Sequence, residues 1–206
     1  MQGWETKSGE TPIDDITGLI PKGVTTRTQL NFLEAQNILK AVVKYIGEKP
    51  NEHSAPFDLS WCLKLHQEMF GDVWEWAGQP RRKDLNLGTP WYNVQADLKN
   101  LFDDLRYWEK NWADILEQAV HLHYRSVLIH PFLNGNGRWS RMLSNIWLLL
   151  HDHPIVMWPE AIAGGVSTVR KEYLLALKNA DNGNMSPLIE LHRSFIEKSD
   201  PEDAQI

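Results

Sequence analysis

Cysteine is almost absent from this chain of 206 residues: Cys62 stands alone. A disulfide framework and a cysteine-rich zinc site are therefore excluded within one chain, and a reducing compartment is the natural setting. Excess positive charge is missing as well. The formal net charge is -6, from 21 Lys and Arg against 27 Asp and Glu, so no chain-wide basic field exists to hold a polyanion. Long apolar runs are also lacking. The strongest, Ile146-Trp147-Leu148-Leu149-Leu150, ends at His151-Asp152-His153, far short of a bilayer's thickness. The polar stretch from Met1 to Glu10 has no signal-peptide core. Together these absences predict a soluble, cytoplasmic protein with no nucleic-acid or membrane partner.

What is present suffices for one packed domain. Hydrophobic residues make up 42% and charged residues 23%, close to the average of globular chains, and the length fits a single domain. Ten tryptophans, clustered at Trp74/Trp76/Trp91 and Trp108/Trp112, are expected in the core and its rim, where large rings bury the most area.

Residues 1–27 carry scattered Gly and Pro without a sustained apolar period, and read as an extended arm over the domain. Helical spacing marks 28–46, with Thr28 as its cap, and then Leu59–Phe70 between Asp58 and Gly71. Residues 78–93 break the pattern with Gly78, Pro80, Gly88 and Pro90 around Leu85-Asn86-Leu87, and predict a β-hairpin. Helices are expected again over 94–112, Ile115–Ile129, 138–150, 166–179 and 186–196, the last opened by Ser186-Pro187. The fold class is mainly α: one helical domain over 28–198 with a single hairpin, and a short tail from 199 to 206.

The chemistry concentrates in His130-Pro131-Phe132-Leu133-Asn134-Gly135-Asn136-Gly137-Arg138-Trp139-Ser140-Arg141, which joins two apolar helices. Gly135 and Gly137 permit positive φ and an inward-turned nest of backbone N–H groups. The helix that follows adds its N-terminal donors and dipole. Arg138 and Arg141, three apart, share one face and suit a polyphosphate. Asn136 can donate or accept in the nest. Across the loop, a neutral His130 imidazole can take a proton from a hydroxyl that attacks phosphorus.

His130, Phe132, Gly135, Asn136, Gly137, Arg138 and Arg141 match the signature His-x-Phe-x-Asp/Glu-Gly-Asn-Gly-Arg-x-x-Arg, and the chain thereby resembles the Fic family over about residues 61–159. The run Leu19-Ile20-Pro21, Leu30-Asn31 and Glu34-Ala35-Gln36-Asn37-Ile38 resembles the bacterial subgroup called mobile mystery protein B. The resemblance implies transfer of AMP from ATP to a Ser, Thr or Tyr hydroxyl of a target protein, with Mg²⁺. It makes His130 the general base and Gly135, Asn136 and Gly137 the anion hole. Arg138 and Arg141 become the phosphate ligands, and Phe132 the loop's anchor. The residues at 82–94 become a flap, with Leu85, Asn86, Leu87 and Gly88 docking the target as an added strand.

Asn134 departs from the signature, standing where the family places the acidic Mg²⁺ ligand. An amide oxygen can still serve an ion that keeps waters and borrows phosphate oxygens. The departure also admits a weakly catalytic nucleotide-binding regulator, or transfer of another phosphate-linked group such as phosphocholine; Gly137 argues against the family's kinase branch. Many relatives are inhibited by a helix glutamate on the second motif arginine. Here Glu34 facing Arg141 is the candidate, without the flanking residues of the usual inhibitory pattern, and a solvated or structural Glu34 is the competing reading. A small antitoxin partner supplying that glutamate is the other alternative. His121 and His123 are spaced poorly for a metal on a helix. His151 and His153 suit a helix end, Arg81-Arg82-Lys83 a solvated turn, and Asp103-Asp104 a polar face.

Overall fold

The computed structural model describes residues 16–112, 114–159 and 168–196. Within them α1 spans Arg27–Val42 and runs on through a π-helical turn, Val43–Gly47. Its cap is Thr26 rather than Thr28: the hydroxyl accepts the Gln29 N–H, and the Gln29 side chain returns the bond in a capping box. Helix α2, Leu59–Phe70, begins where the Asp58 carboxylate accepts the Trp61 N–H at 2.7 Å. Helices α3 (Val94–Asn111), α4 (Ile115–Ile129) and α5 (Asn136–Leu150) follow, then α6 (Thr168–Asp181) and α7 (Ser186–Ser194).

The most extensive pairing is between α4 and α5, the two rods that flank the glycine-rich loop. Their facing residues, among them Ala119, Leu122, Leu143 and Ile146, are fully buried. Ser144 donates to the Ala119 carbonyl across that interface at 3.1 Å. Helix α1 lies on α2 and α7 on α4. The buried stripe of α1 is partly polar: Leu30, Glu34, Asn37 and Ala41. Asn37 explains part of it, donating to the Glu68 carbonyl and accepting the Asp72 N–H, which secures the end of α2. Glu34, on the same stripe, points toward the α4–α5 loop.

Gly18 to Ile20 lie along Val73 to Glu75, with Leu19 bridging Trp74 in antiparallel fashion. The expected arm therefore holds to the domain at its described end; residues 1–15, and the tail at 199–206, fall outside the described residues. The tryptophans pack largely as expected. Trp74 stacks on Trp76 at 4.9 Å and Trp108 on Trp112 at 5.0 Å, while Trp91 stands exposed against Tyr92.

The predicted β-hairpin does not form. Among the described residues, 82–94 holds bends and a short 3-10 turn, Trp91–Asn93, but no strand. The reason is Arg81, buried rather than solvated. Its guanidinium takes the carbonyls of Lys83 and Thr89, the two ends that a cross-strand ladder would have joined. Asp84 accepts the Trp91 N–H at 2.9 Å, closing the loop on itself. Thr89 donates to the Ile129 carbonyl, tying the segment to the end of α4.

Candidate active site

Helix α4 ends in a residue that proteins seldom place there. His130 is its C-cap with φ 51°, the left-handed region, which disfavours side chains other than Gly by about 1–2 kcal/mol. The surrounding structure holds it: the His130 N–H donates to Ser126, and its carbonyl accepts Arg81 Nε at 2.8 Å. The imidazole is 9% exposed. Burial, aided by the charge of Arg81 and opposed by a hydrogen bond to the Val127 backbone, pushes its pKa down to about 4. The ring is therefore neutral at pH 7. The ring is held to the Val127 backbone, and its neutral form is the one a general base requires.

The loop from Pro131 to Gly135 is pinned from beneath. Phe132 is fully buried, stacked on His66 at 3.6 Å and edge-on to Trp139 at 5.1 Å. His66 accepts the Gly78 N–H at Nδ1, so its Nε2 carries the proton and donates to the Asn134 carbonyl at 3.1 Å. Asn136 spends its whole side chain on the loop, accepting the Phe132 N–H and donating to the Phe132 carbonyl, each at 2.8 Å. Asn136 thus donates and accepts within the nest, and its side chain holds the loop together. Gly135 has φ 80°, and a Cβ there would meet the Phe70 ring at 2.6 Å. Gly137 is different: it lies within the first turn of α5, not at positive φ. A Cβ there would be 3.6 Å from Arg141 Nη1, so Arg141 folds back toward the start of its own helix. Residues 136–138 begin α5 and have no intrahelical acceptor for their N–H groups.

Above this floor lies a cavity of about 420 Å³, a size suited to a nucleotide. Five cationic side chains border it, Arg27, Arg138, Arg141, Arg170 and Lys178, against two carboxylates, Glu34 and Asp181. His130, Asn134, Gly135, Asn136 and Gly137 line it as well, with Leu87 and Gly88 on one rim. The structure thus gathers the predicted loop residues around one concavity. Leu85 and Asn86 are not among its lining residues, and the four flap residues form no strand. Val127, Leu128, Leu174 and Leu177 supply an apolar wall, beside which Tyr124 donates to Asp181 at 3.0 Å.

Glu34 enters from α1 and is 1% exposed. It is not solvated, and its partner is not the expected Arg141. Its Oε2 lies 2.8 Å from Arg138 Nη1. The other oxygen accepts Trp74 Nε1 at 2.7 Å and faces Asn134 Nδ2 at 3.5 Å. The Arg138 guanidinium also rests over the Phe70 ring, 4.8 Å from its centroid. These contacts hold the first motif arginine rather than the second, because Glu34 lies on the side of the cavity where α1 crosses the loop.

Sequence reasoning missed several of these groups. Arg81 sits in a basic run that reads as a turn, and only the folded loop reveals that it secures the His130 backbone. Trp74 counts as packing until its N–H is seen on Glu34. Tyr173, which also borders the cavity, lies on a helix with no motif at all. Among the described residues no set of three His, Cys, Asp or Glu is placed to hold a metal, and no helix is long and apolar enough to cross a membrane.

Residues 56–148 match the profile of the Fic/DOC family. The chain is 30% identical over 142 residues to the protein adenylyltransferase Fic of Drosophila grimshawi. It is 34% identical over 134 residues to the protein adenylyltransferase fic-1 of Caenorhabditis elegans. Those alignments take in 66% and 62% of this chain but span only 28% and 25% of the relatives' lengths. Among solved structures, Fic-1 (residues 134–508, E274G) from C. elegans superposes with a TM-score of 0.66 at 26% identity, over 86% of this chain and 51% of that one. The BepC protein of Bartonella tribocorum, bound to AMPPNP, superposes with a TM-score of 0.65 at 20% identity, over 89% of this chain and 94% of that one, a likeness of fold.

Proposed function

From the premise that this chain carries a Fic/DOC family domain at residues 56–148, we propose that it is a protein adenylyltransferase, moving AMP from ATP to a hydroxyl of a target protein. One observation carries the reading: a buried, neutral His130 borders the same cavity as Arg138, Arg141 and the first turn of α5. The names of the curated relatives support the same activity.

In this reading the triphosphate lies over the start of α5, with its negative charge met by the backbone N–H groups of that turn and by the two guanidiniums. His130 takes the proton of the acceptor hydroxyl as its oxygen bonds to the α-phosphorus. The bond to the bridging oxygen breaks and pyrophosphate leaves. Donors fixed in advance around the phosphoryl oxygens supply most of the acceleration. Leu87 and Gly88, on the cavity rim beside His130, are where the target backbone would approach; with no strand formed there, docking would rest on an irregular loop.

The donor set fits a magnesium ion carried mainly by the nucleotide. Asn134 offers one neutral oxygen, and such an ion keeps waters and phosphate oxygens as its other ligands. When bound, it would neutralise phosphate charge. Glu34 sets the resting state: with Arg138 held at 2.8 Å, ATP must displace the carboxylate to reach that guanidinium. An internal block of this kind makes a separate antitoxin unnecessary for restraint. The sequence run from Leu19 to Ile38 supports a place in the mobile mystery protein B subgroup.

The test is labelling with ATP carrying ³²P at either the α- or the γ-phosphate, with the purified chain alone and in lysate. Label on protein from the α-position only is the expected result. Label from the γ-position means a kinase, and no label despite ATP binding means a regulator.

A further inference from the structure

Behind Arg141, away from the loop, lies a buried line of polar groups that the transfer reaction does not use. His192 on α7 sits with Nδ1 2.7 Å from the Leu188 carbonyl. A carbonyl only accepts, so Nδ1 carries the proton and the neutral ring has a bare Nε2. That nitrogen lies 2.8 Å from His123 Nδ1, on α4. His123 must then donate from Nδ1, leaving its own Nε2 bare, 3.0 Å from the Tyr173 hydroxyl on α6. Tyr173 in turn donates to His123, and its oxygen keeps its lone pairs for the cavity that Tyr173 borders together with Arg141. Each donor and acceptor is assigned by its neighbour, from the Leu188 carbonyl to the Tyr173 hydroxyl at the cavity that Arg141 borders.

We propose that His192, His123 and Tyr173 form a proton-ordered relay that positions Arg141, so that α6 and α7 set the grip on the terminal phosphates. The proposal rests on the reading of Arg141 as a phosphate ligand and names what orients it. His123 and His192 are fully buried and Tyr173 is 7% exposed. The Trp158 ring stands edge-on to all three, 5.4, 4.7 and 5.8 Å from His123, His192 and Tyr173. The relay works only with both imidazoles neutral, since a second proton on either ring turns an acceptor into a donor. Burial and the nearby Arg141 charge hold both below the ordinary histidine range, His192 at about 4. Three helices distant in sequence thereby meet beside the cavity that Arg141 borders, and His123 and His192 act without bordering it themselves.

Two measurements test this. Long-range ¹H–¹⁵N NMR of the unliganded chain at pH 7 should show His123 and His192 both as the neutral Nδ1–H tautomer. The Nε2–H tautomer at either residue overturns the relay. Calorimetry should show Tyr173→Phe, which keeps the ring and loses the hydroxyl, weakening ATP three- to tenfold while adenosine is unchanged. His192→Phe, remote from the cavity, should act in the same direction. ATP affinity unchanged in a folded Tyr173→Phe also overturns the proposal. A wild-type chain that binds no ATP overturns instead the reading of Arg141 as a phosphate ligand, and the NMR result stands apart from it.

Discussion

Replacing Glu34 by Gln should convert a restrained nucleotide site into an open one. The change is nearly isosteric, and Gln Oε1 can still accept the Trp74 N–H that Glu34 now accepts at 2.7 Å. What disappears is the charge facing Arg138 at 2.8 Å. In the present chain, ATP gains Arg138 only by breaking a charge-assisted contact, which is worth about 1.5–3 kcal/mol. Arg138 is 28% exposed, and water compensates part of that loss, which favours the lower half of the range. With each 1.4 kcal/mol equal to a factor of ten, Glu34→Gln should tighten ATP by roughly 10- to 50-fold. Adenosine has no phosphate and should bind as before. Calorimetric titration of both ligands gives the comparison, and α-labelled ATP should show faster protein labelling in the variant. An ATP affinity within twofold of the parent chain, or an equal gain for adenosine, would refute the idea that this carboxylate competes with phosphate.

Four further outcomes are expected. His130→Ala should lower transfer by about 10²–10⁴-fold, the usual contribution of a positioned base, with ATP affinity nearly unchanged in a binding titration; equal labelling would remove the base. Asn134→Asp should lower the Mg²⁺ concentration needed for half-maximal labelling, and an identical titration would show that this side chain does not meet the ion. Gly135→Ala places a methyl 2.6 Å from the Phe70 ring at φ 80° and should destabilise by about 2–4 kcal/mol in urea unfolding. Acid should weaken the fold through His66, His130 and His192, whose native pKa values are pushed down to about 3, 4 and 4. Above about 6.5 both states are neutral; below it the unfolded chain takes up protons first, so stability falls until the pH reaches the native values. By pH 5 the loss is about 2 kcal/mol for each such histidine, and a urea midpoint unchanged from pH 7 to pH 5 would contradict their burial.

The helices were legible because their signals are local. Asp58 caps and apolar spacing place α2, and the bounds of α4 follow from its apolar face and the glycine-rich break beyond it. The hairpin was misread because a turn-rich alternation of Leu85-Asn86-Leu87 carries no information about Arg81, whose guanidinium satisfies the carbonyls that a strand partner would have used. At the site, the motif loop was legible as a cluster, since one short segment carries its histidine, its glycines and its arginines. The conformation of Gly137 within it was not, because where α5 begins, and so which glycine turns the loop, depends on packing beneath Phe132. His123, Tyr173 and His192 come from three helices, and no spacing rule links them.

Glu34 shows how a resemblance and a structure divide the work. The sequence pattern permits an inhibitory glutamate but is silent about which arginine it meets. Its partner follows from geometry: Trp74 and Asn134 fix one oxygen on the α1 side of the cavity, where Arg138 projects over Phe70. Arg141 borders the same cavity as Tyr173, the end of the proposed relay. With the relay as proposed, the two arginines come under separate control, one masked by α1 and the other braced by α6 and α7. A doubly altered chain, Glu34→Gln with Tyr173→Phe, should show ATP affinity changes that add, because neither substitution touches the other's arginine. Strong non-additivity in that cycle would mean that Glu34 and Tyr173 act on a shared group, and the division would fail.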